Sequence, residues 1–274
     1  MMDGNGSVAL TAKDFKSDQE VRWCPGCGDY AILAAMQSFM PELGLARERI
    51  VFVSGIGCAA WIPSPHILAD TLHTLHGRAV AYATGAKLAN PRLTVIVVSG
   101  DGDIVSIGGN HLIHAARRGI DLTVLCANNE IYGMTGGQAG PTTPVGALSA
   151  TTPAGNPYAP FDLVKLVLGA GAAYVARYPV TQPRPLGDAI KRAIRTPGFA
   201  FVEVASPCPT QFGRRNRIED IGALYDRIRD STISRADAAR LSPAERRGRL
   251  VCGEWSPDEL LLGGGPATTG SGPC

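Results

Sequence analysis

The chain has 274 residues, 45% of them hydrophobic and 18% charged, with 33 glycines, which suits one large α/β domain with tails. A formal charge of +2 gives no reason to expect nucleic acid, and no stretch approaches the roughly 18 apolar residues of a membrane span. The first residues lack a basic start followed by an apolar core, so a cytoplasmic protein without a membrane partner is expected.

Residues 1–20 are polar and unpatterned, and read as an arm over a partner or a disordered lead. Cys24 and Cys27 then form a Cys-x-x-Cys on a Pro/Gly turn. Alone, that pair reads first as half a zinc site, then as a redox dithiol or half an iron–sulfur site. Asp29 is placed to cap a helix whose apolar positions are Ile32, Leu33, Met36 and Phe39; Pro41 and Gly44 close it. Residues 49–54 read as a short buried strand that runs into Gly55-Ile56-Gly57-Cys58-Ala59. A third cysteine in a Gly turn beyond a strand is less easily a core residue than one inside it.

His73 and His76, three apart, would share one face of a helix. No carboxylate accompanies them at ligand spacing, so a hydrogen bond to an anion or oxyanion and a satisfied half-buried pair compete. Residues 81–89 read as a small-residue helix. Two β-branched runs follow, 93–98 and 122–127, with a crossover helix of about residues 104–118 between them. Cys126 lies inside the second run and reads as core. Residues 133–144 form a glycine-rich, hydroxyl-bearing loop able to wrap a ligand. Residues 161–168 read as a helix, 170–177 as a short strand, 186–195 as a helix and 199–205 as the last core strand, followed by Cys208.

Beyond Gln211 the composition shifts. Residues 214–250 hold ten Arg, no Lys and six acids, the mark of a solvated or subunit-facing surface more than a nucleic-acid one. The organisation expected is an arm (1–20), a main domain (21–212), a helical extension (213–262) and a flexible tail (263–274) with Cys274 free.

The two β-branched runs carry the chemistry. The first ends in Gly100-Asp101-Gly102-Asp103, the second in Asn128-Asn129 with Ile131 just beyond, and 25 residues separate Gly102 from Asn128. Parallel strands joined by one right-handed crossover set their carboxyl ends side by side, where open α/β sheets bind ligands. Asp101 offers a carboxylate, Asn129 a side-chain carbonyl and Ile131 a backbone carbonyl. Such a small set of hard oxygens, with positions left for phosphate and water, suits Mg²⁺. Gly100 and Gly102 let the backbone approach a bulky anion. Gly-Asp-Gly at this distance from Asn-Asn resembles the diphosphate-binding motif of thiamine diphosphate enzymes.

Cys24, Cys27, Cys58 and Cys208 together with that motif resemble the β subunits of 2-oxoacid:ferredoxin oxidoreductases, from about Trp23 to Arg217. The strings Trp23-Cys24-Pro25-Gly26-Cys27-Gly28, Gly55-Ile56-Gly57-Cys58, His76-Gly77-Arg78-Ala79 and Ser106-Ile107-Gly108-Gly109-Asn110-His111 share in the likeness. The resemblance implies the thiamine-diphosphate-binding α/β fold, a mostly parallel sheet with helices on both faces. It implies one [4Fe–4S] cluster on Cys24, Cys27, Cys58 and Cys208, a ligand set that suits a cubane. It also implies Mg²⁺ on Asp101, Asn129 and Ile131, and a cofactor lined by Ile56, Gly57, Cys58, Ala59, Gly102, Asp103, Gly133 and Met134. His76 is the candidate catalytic contact to diphosphate or substrate.

The implied reaction is oxidative decarboxylation of a 2-oxoacid with coenzyme A, electrons leaving through the cluster to ferredoxin. No glutamate here stands in a pyrimidine-activating context. The resemblance assigns that acid to an α subunit, in an assembly of α2β2 or larger. Tyr132-Gly133-Met134-Thr135-Gly136-Gly137-Gln138 and Pro207-Cys208-Pro209-Thr210-Gln211-Phe212-Gly213 look most like 2-oxoglutarate-using members. Many relatives carry Lys where Gly136 stands, so Arg78, Arg214 and Arg215 become candidates for the second substrate carboxylate. Pyruvate, branched-chain or aromatic oxoacids are the alternative substrates. A non-oxidative thiamine-dependent decarboxylase and a zinc-stabilised binding module are the rival classes.

Overall fold

The structure is a computed structural model that describes residues 10–258. In chain order the principal elements are α1 (Asp29–Phe39), β1 (Ile50–Ser54), β2 (Asp70–His73), α2 (Ala79–Ala89), β3 (Thr94–Gly100), α3 (Gly109–Arg117) and β4 (Leu122–Asn128). A small hairpin follows, β5 (Ile131–Tyr132) and β6 (Gln138–Ala139), then α4 (Leu163–Gly169), β7 (Tyr174–Pro179), α5 (Pro183–Arg195) and β8 (Phe199–Ala205). The chain closes with α6 (Ile221–Ser231), β9 (Thr232–Ser234), α7 (Arg235–Arg240), α8 (Pro243–Arg246) and β10 (Leu250–Trp255).

One eight-stranded sheet runs β2-β1-β3-β4-β8-β7-β10-β9. Every pair is parallel except β10 on β7. The strands alternate faces as the pleat requires. Ile96, Val98, Leu125, Ala200 and Val202 pack with α1 and α5 on one side, whereas Val95, Val97, Val124, Phe199 and Phe201 pack with α2, α3 and α4 on the other. Burial on both faces explains the near-continuous apolar runs in the sequence. The chain turns outward from β1 to β2, then returns to β3 on the other side of β1. The crevice beyond the carboxyl ends of β1 and β3 is therefore the topological switch point.

Several local expectations shift. The arm is docked from residue 12 onward: Ala12–Phe15 makes a 3₁₀ turn and Phe15 is fully buried in the α1/α5-side core. A single large aromatic in a polar stretch anchors what its neighbours leave unspecified. Gly28, not Asp29, occupies the cap position of α1, and Asp29 is buried. His73 and His76 do not share a helix face. His73 ends the exposed edge strand β2, and His76 stands in the turn before α2, where Gly77 takes φ +72. The crossover helix begins as a turn of π-helix over Gly102–Ile107 before α3, a distortion common at functional sites.

Residues 199–205 are not the last strand of the sheet. The extension beyond residue 213 adds β10 and β9 as well as helices, and Cys252 is buried in β10. Residues 1–9 and 259–274, with Cys274 and the expected tail, lie outside the described residues. Among the described residues no helix is long and apolar enough to cross a membrane.

Candidate functional site

Gly100 of β3 pairs with Ala127 of β4, and Asn128 with Ala205 of β8. That register puts Asp101, Asn129 and the segment before Cys208 at one end of three adjacent strands. Asp101 is 1% exposed. Its Oδ2 accepts the Thr142 hydroxyl at 2.7 Å and its Oδ1 accepts the Asn129 backbone N–H at 3.4 Å. Burial pushes its carboxyl up to about 6, with the Thr142 hydroxyl and the Asn129 N–H pulling partly back. Asn129 folds its own side-chain oxygen onto the Ile131 N–H at 3.1 Å, an Asx turn that fixes where that oxygen points.

Glycine makes the approach close. A β-carbon on Gly102 would fall 2.3 Å from the Tyr132 ring, whose hydroxyl donates to the Gly102 carbonyl at 3.2 Å. Gly57 holds φ +126, while Ile56 and Met134 expose large apolar side chains at the rim and Ala59 is buried below them.

Asp103 lies beneath these turns, 2% exposed. Its Oδ1 accepts from the Gly77 N–H at 2.7 Å and the Ile56 N–H at 3.2 Å, and stands 2.5 Å from His76 Nδ1. Its Oδ1 is committed to protein groups, so Asp103 braces the cofactor side of the sheet from below.

Asn128 lies behind Asp101. Its Oδ1 is 2.8 Å from the Thr142 hydroxyl and its Nδ2 donates to Glu203 at 2.8 Å. Glu203 accepts from Arg177 Nε at 2.7 Å, and Arg177 also donates to Asp162 at 2.8 Å. This buried chain lines a 460 Å³ cavity that reaches Cys208. Thr142 is not among the sequence candidates; Asn128 figures there only as the partner of Asn129 at the strand end, and Tyr132 only within the Tyr132–Gln138 string. The only signal for Thr142 was a hydroxyl in the glycine-rich loop.

The four cysteines singled out come from three separate turns. Cys27 N–H donates to the Cys24 carbonyl at 3.0 Å, closing the Cys-x-x-Cys turn. Trp23 Nε1 donates to the Cys58 carbonyl at 2.9 Å, and the Gly28 N–H to the Pro207 carbonyl at 3.1 Å. Those two bonds clamp the first turn to the second and third. Burial pushes the Cys58 thiol up to about 12 and raises Cys27 and Cys208, with smaller contributions from Asp29 and from the neighbouring cysteines. Asp29, buried beside Cys27, is pushed up to about 6. All four are free thiols, Cys24 exposed and the others half-buried. Among the described residues no three Cys, His, Asp or Glu side chains close in on a single-ion site. Cys27 feels Cys58 and Cys208, and Cys58 feels Cys24 and Cys208, so the four thiols lie in one neighbourhood, a ligand set of the kind that suits a four-iron cubane. The hard oxygens at Asp101 and Asn129 fit a divalent cation, and the Gly57/Gly102 cradle fits a diphosphate.

Gly133 joins the two halves. A β-carbon on it would stand 3.4 Å from Cys208 Sγ, 3.9 Å from Cys58 Sγ and 3.9 Å from Asn129 Nδ2. Arg215 reaches back to the Gly136 carbonyl at 2.6 Å and pins this glycine loop, while Arg78 holds the Gly77 and Ile107 carbonyls.

Residues 55–204 match the family described as thiamine pyrophosphate enzyme, C-terminal TPP binding domain. The chain is 47% identical over 234 residues to the 2-oxoglutarate synthase subunit KorB of Methanothermobacter marburgensis, covering 85% of this chain and 82% of that one. It is 46% identical over 191 residues to the 2-oxoacid:ferredoxin oxidoreductase subunit beta of Saccharolobus solfataricus, covering 69% and 62%. A solved 2-oxoglutarate:ferredoxin oxidoreductase from Magnetococcus marinus, with 2-oxoglutarate, coenzyme A and succinyl-CoA bound, superposes with a TM-score of 0.80 at 34% identity, covering 96% of this chain and 90% of that one.

Proposed function

The chain belongs to the β subunits of the 2-oxoacid:ferredoxin oxidoreductases, and from that premise we propose that it serves the coenzyme-A-dependent oxidative decarboxylation of 2-oxoglutarate, with ferredoxin as electron acceptor. The observation that carries the reading is the position of Gly133, where a β-carbon would be in van der Waals contact with Cys208 Sγ, Cys58 Sγ and the Asn129 amide, so the cysteine set and the Asn129 turn meet at one stretch of backbone. A diphosphate site and an electron relay then share one wall.

Asp101, the Asn129 side chain and the Ile131 carbonyl would hold Mg²⁺. Gly57 and Gly102 would admit the diphosphate, and Cys24, Cys27, Cys58 and Cys208 would hold a [4Fe–4S] cluster. Thiamine diphosphate, when bound, supplies a nucleophilic carbon and an electron sink for loss of CO₂, and the cluster supplies one-electron steps. The protein's part is to fix these groups and exclude water. The buried Thr142–Asn128–Glu203–Arg177 chain holds the rear of the cation site rigid, and Tyr132 caps the Gly102 turn. Turnover requires the pyrimidine-activating acid of a partner α subunit.

The test is coenzyme-A-dependent reduction of ferredoxin or a viologen by the chain alone and by the chain mixed with its partner, with several 2-oxoacids compared. Activity only in the mixture, greatest with 2-oxoglutarate, is the expected result. Turnover by the chain alone refutes the two-subunit reading, and preference for another acid corrects the substrate.

A further inference from the structure

Three strand-end turns meet on one carboxylate oxygen. Asp103 Oδ1 receives the Ile56 N–H from the turn after β1 and the Gly77 N–H from the turn after β2, and Asp103 itself follows β3. The same oxygen lies 2.5 Å from His76 Nδ1. An oxygen that already accepts two N–H bonds is not the protonated one, so the shared proton sits on Nδ1. That commits the ring to one tautomer and one orientation. Among the described residues Nε2 has no protein partner, and the His76 side chain is 39% exposed against 1% for Asp103.

The surroundings reserve this seat for Asp103. A β-carbon on Gly55 would lie 2.1 Å from Asp103 Oδ2, one on Gly108 would lie 2.5 Å from the Asp103 carbonyl, and one on Gly77 would lie 2.3 Å from Ile107 Cγ2. The π-helical turn over Gly102–Ile107 carries Asp103 inward beneath the rim. Among the described residues Asp103 Oδ2 is buried without a hydrogen-bond partner, so the carboxylate spends its bonding on one side, toward His76 and the two turns.

We infer that Asp103 is the positioning residue of His76, holding its ring so that Nε2 faces the strand-end mouth and hydrogen-bonds the 2-oxoacid substrate. Asp103 thus acts through His76 and not as a direct cofactor contact. With Nδ1–H committed to Asp103, Nε2 can donate to the acceptor oxygens of a 2-oxoacid only as the N–H of the imidazolium, for which the Asp103 carboxylate is the counter-charge. The inference rests on the proposed reading that the 2-oxoacid binds at these strand ends.

The experiment is a double-mutant cycle on the assembled complex, with a readout independent of turnover. His76→Ala and Asp103→Ala are each expected to lower kcat/KM by about tenfold or more, and the double variant to be no more than about twofold worse than either. A purely structural Asp103 would add its full loss to that of His76→Ala, and that result overturns the inference. Asp103→Asn, whose amide oxygen can keep all three bonds, is expected to recover most of the loss. Calorimetry is expected to show thiamine diphosphate affinity unchanged in Asp103→Asn and His76→Ala. Nitrogen NMR of the histidine-labelled wild-type complex, with the His76 signal identified by its loss in His76→Ala, is expected to show Nδ1–H. An Nε2–H tautomer overturns the inference even if Asp103→Ala fails to fold. Should the wild-type complex turn over no 2-oxoacid while NMR shows Nδ1–H, the substrate reading fails and the Asp103–His76 pairing stands.

Discussion

Thr142 Oγ1 lies 2.7 Å from Asp101 Oδ2, although the two residues are 41 positions apart in the chain. The same oxygen is 2.8 Å from Asn128 Oδ1, so one hydroxyl proton stands between two acceptors. Thr142→Val removes that hydroxyl with little change of volume and leaves a buried carboxylate oxygen without its donor. The cost of such a loss is about 1–3 kcal/mol, or roughly fivefold to 150-fold in affinity. Mg²⁺-dependent thiamine diphosphate binding, measured by calorimetry on the assembled complex, is expected to weaken by about that factor in Thr142→Val and to recover in Thr142→Ser. Asp101→Ala is the reference, with binding abolished. Equal affinity of wild type and Thr142→Val would leave the hydroxyl without a role at the cation site.

Cation affinity is also expected to depend on pH. Asp101 is raised from 3.8 to about 6 in the folded, metal-free chain, chiefly by burial. A raised carboxylate binds its proton more tightly in the fold than in the unfolded chain, so this group stabilises the metal-free fold as pH falls through about 6 and that contribution is lost above it. The cation requires the ionised form, so proton and Mg²⁺ compete below about pH 6. Apparent Mg²⁺ affinity, titrated from about pH 7.5 to about pH 5, is expected to be flat at the upper end and to fall toward tenfold per pH unit at the lower. A flat profile throughout would show that Asp101 stays ionised despite its burial.

The six cysteines among the described residues divide into two groups. Cys24, Cys27, Cys58 and Cys208 sit in turns, whereas Cys126 and Cys252 are buried in strands. Serine at any of the first four is expected to deplete iron and acid-labile sulfide and to remove or alter the paramagnetic signal of the reduced protein. Cys126→Ser and Cys252→Ser are expected to keep the full iron content, at a stability cost of about 1–3 kcal/mol for an unpaired buried hydroxyl. A full cluster in Cys208→Ser would break the assignment.

The docked arm gives a stability prediction. Phe15 is 0% exposed, packed in the core on the α1/α5 face. Phe15→Ala is expected to destabilise the chain by about 3–5 kcal/mol, seen as a lower denaturant midpoint. Cofactor affinity at saturating Mg²⁺ is expected to stay as in wild type for the folded fraction, because Phe15 contributes packing and none of the oxygens or thiols of the site. An unchanged midpoint would mean that the arm is not docked in solution.

The sequence by itself was enough for the frame and for the two halves of the site. Two β-branched runs, a crossover of fitting length and polar residues at both run ends dictate a parallel pair with Asp101 and Asn129 side by side, because strand direction and crossover hand leave no other arrangement. Cys126 was legible as core for the same reason, its place inside a run. Tertiary structure alone decided the rest. His73 and His76 have helical spacing, yet an edge strand and Gly77 at φ +72 separate them, because pairing of β2 with β1 outweighs local periodicity. Phe15 and β10 lack the neighbours that would announce a buried element; their burial comes from surfaces supplied by distant segments. Thr142 reaches Asp101, and Asp103 reaches His76, through loops whose paths are set by glycines and by what they pack on, not by their own pattern. A repeating pattern determines a strand, but a single side chain finds its partner only when long-range pairing has brought the backbones together.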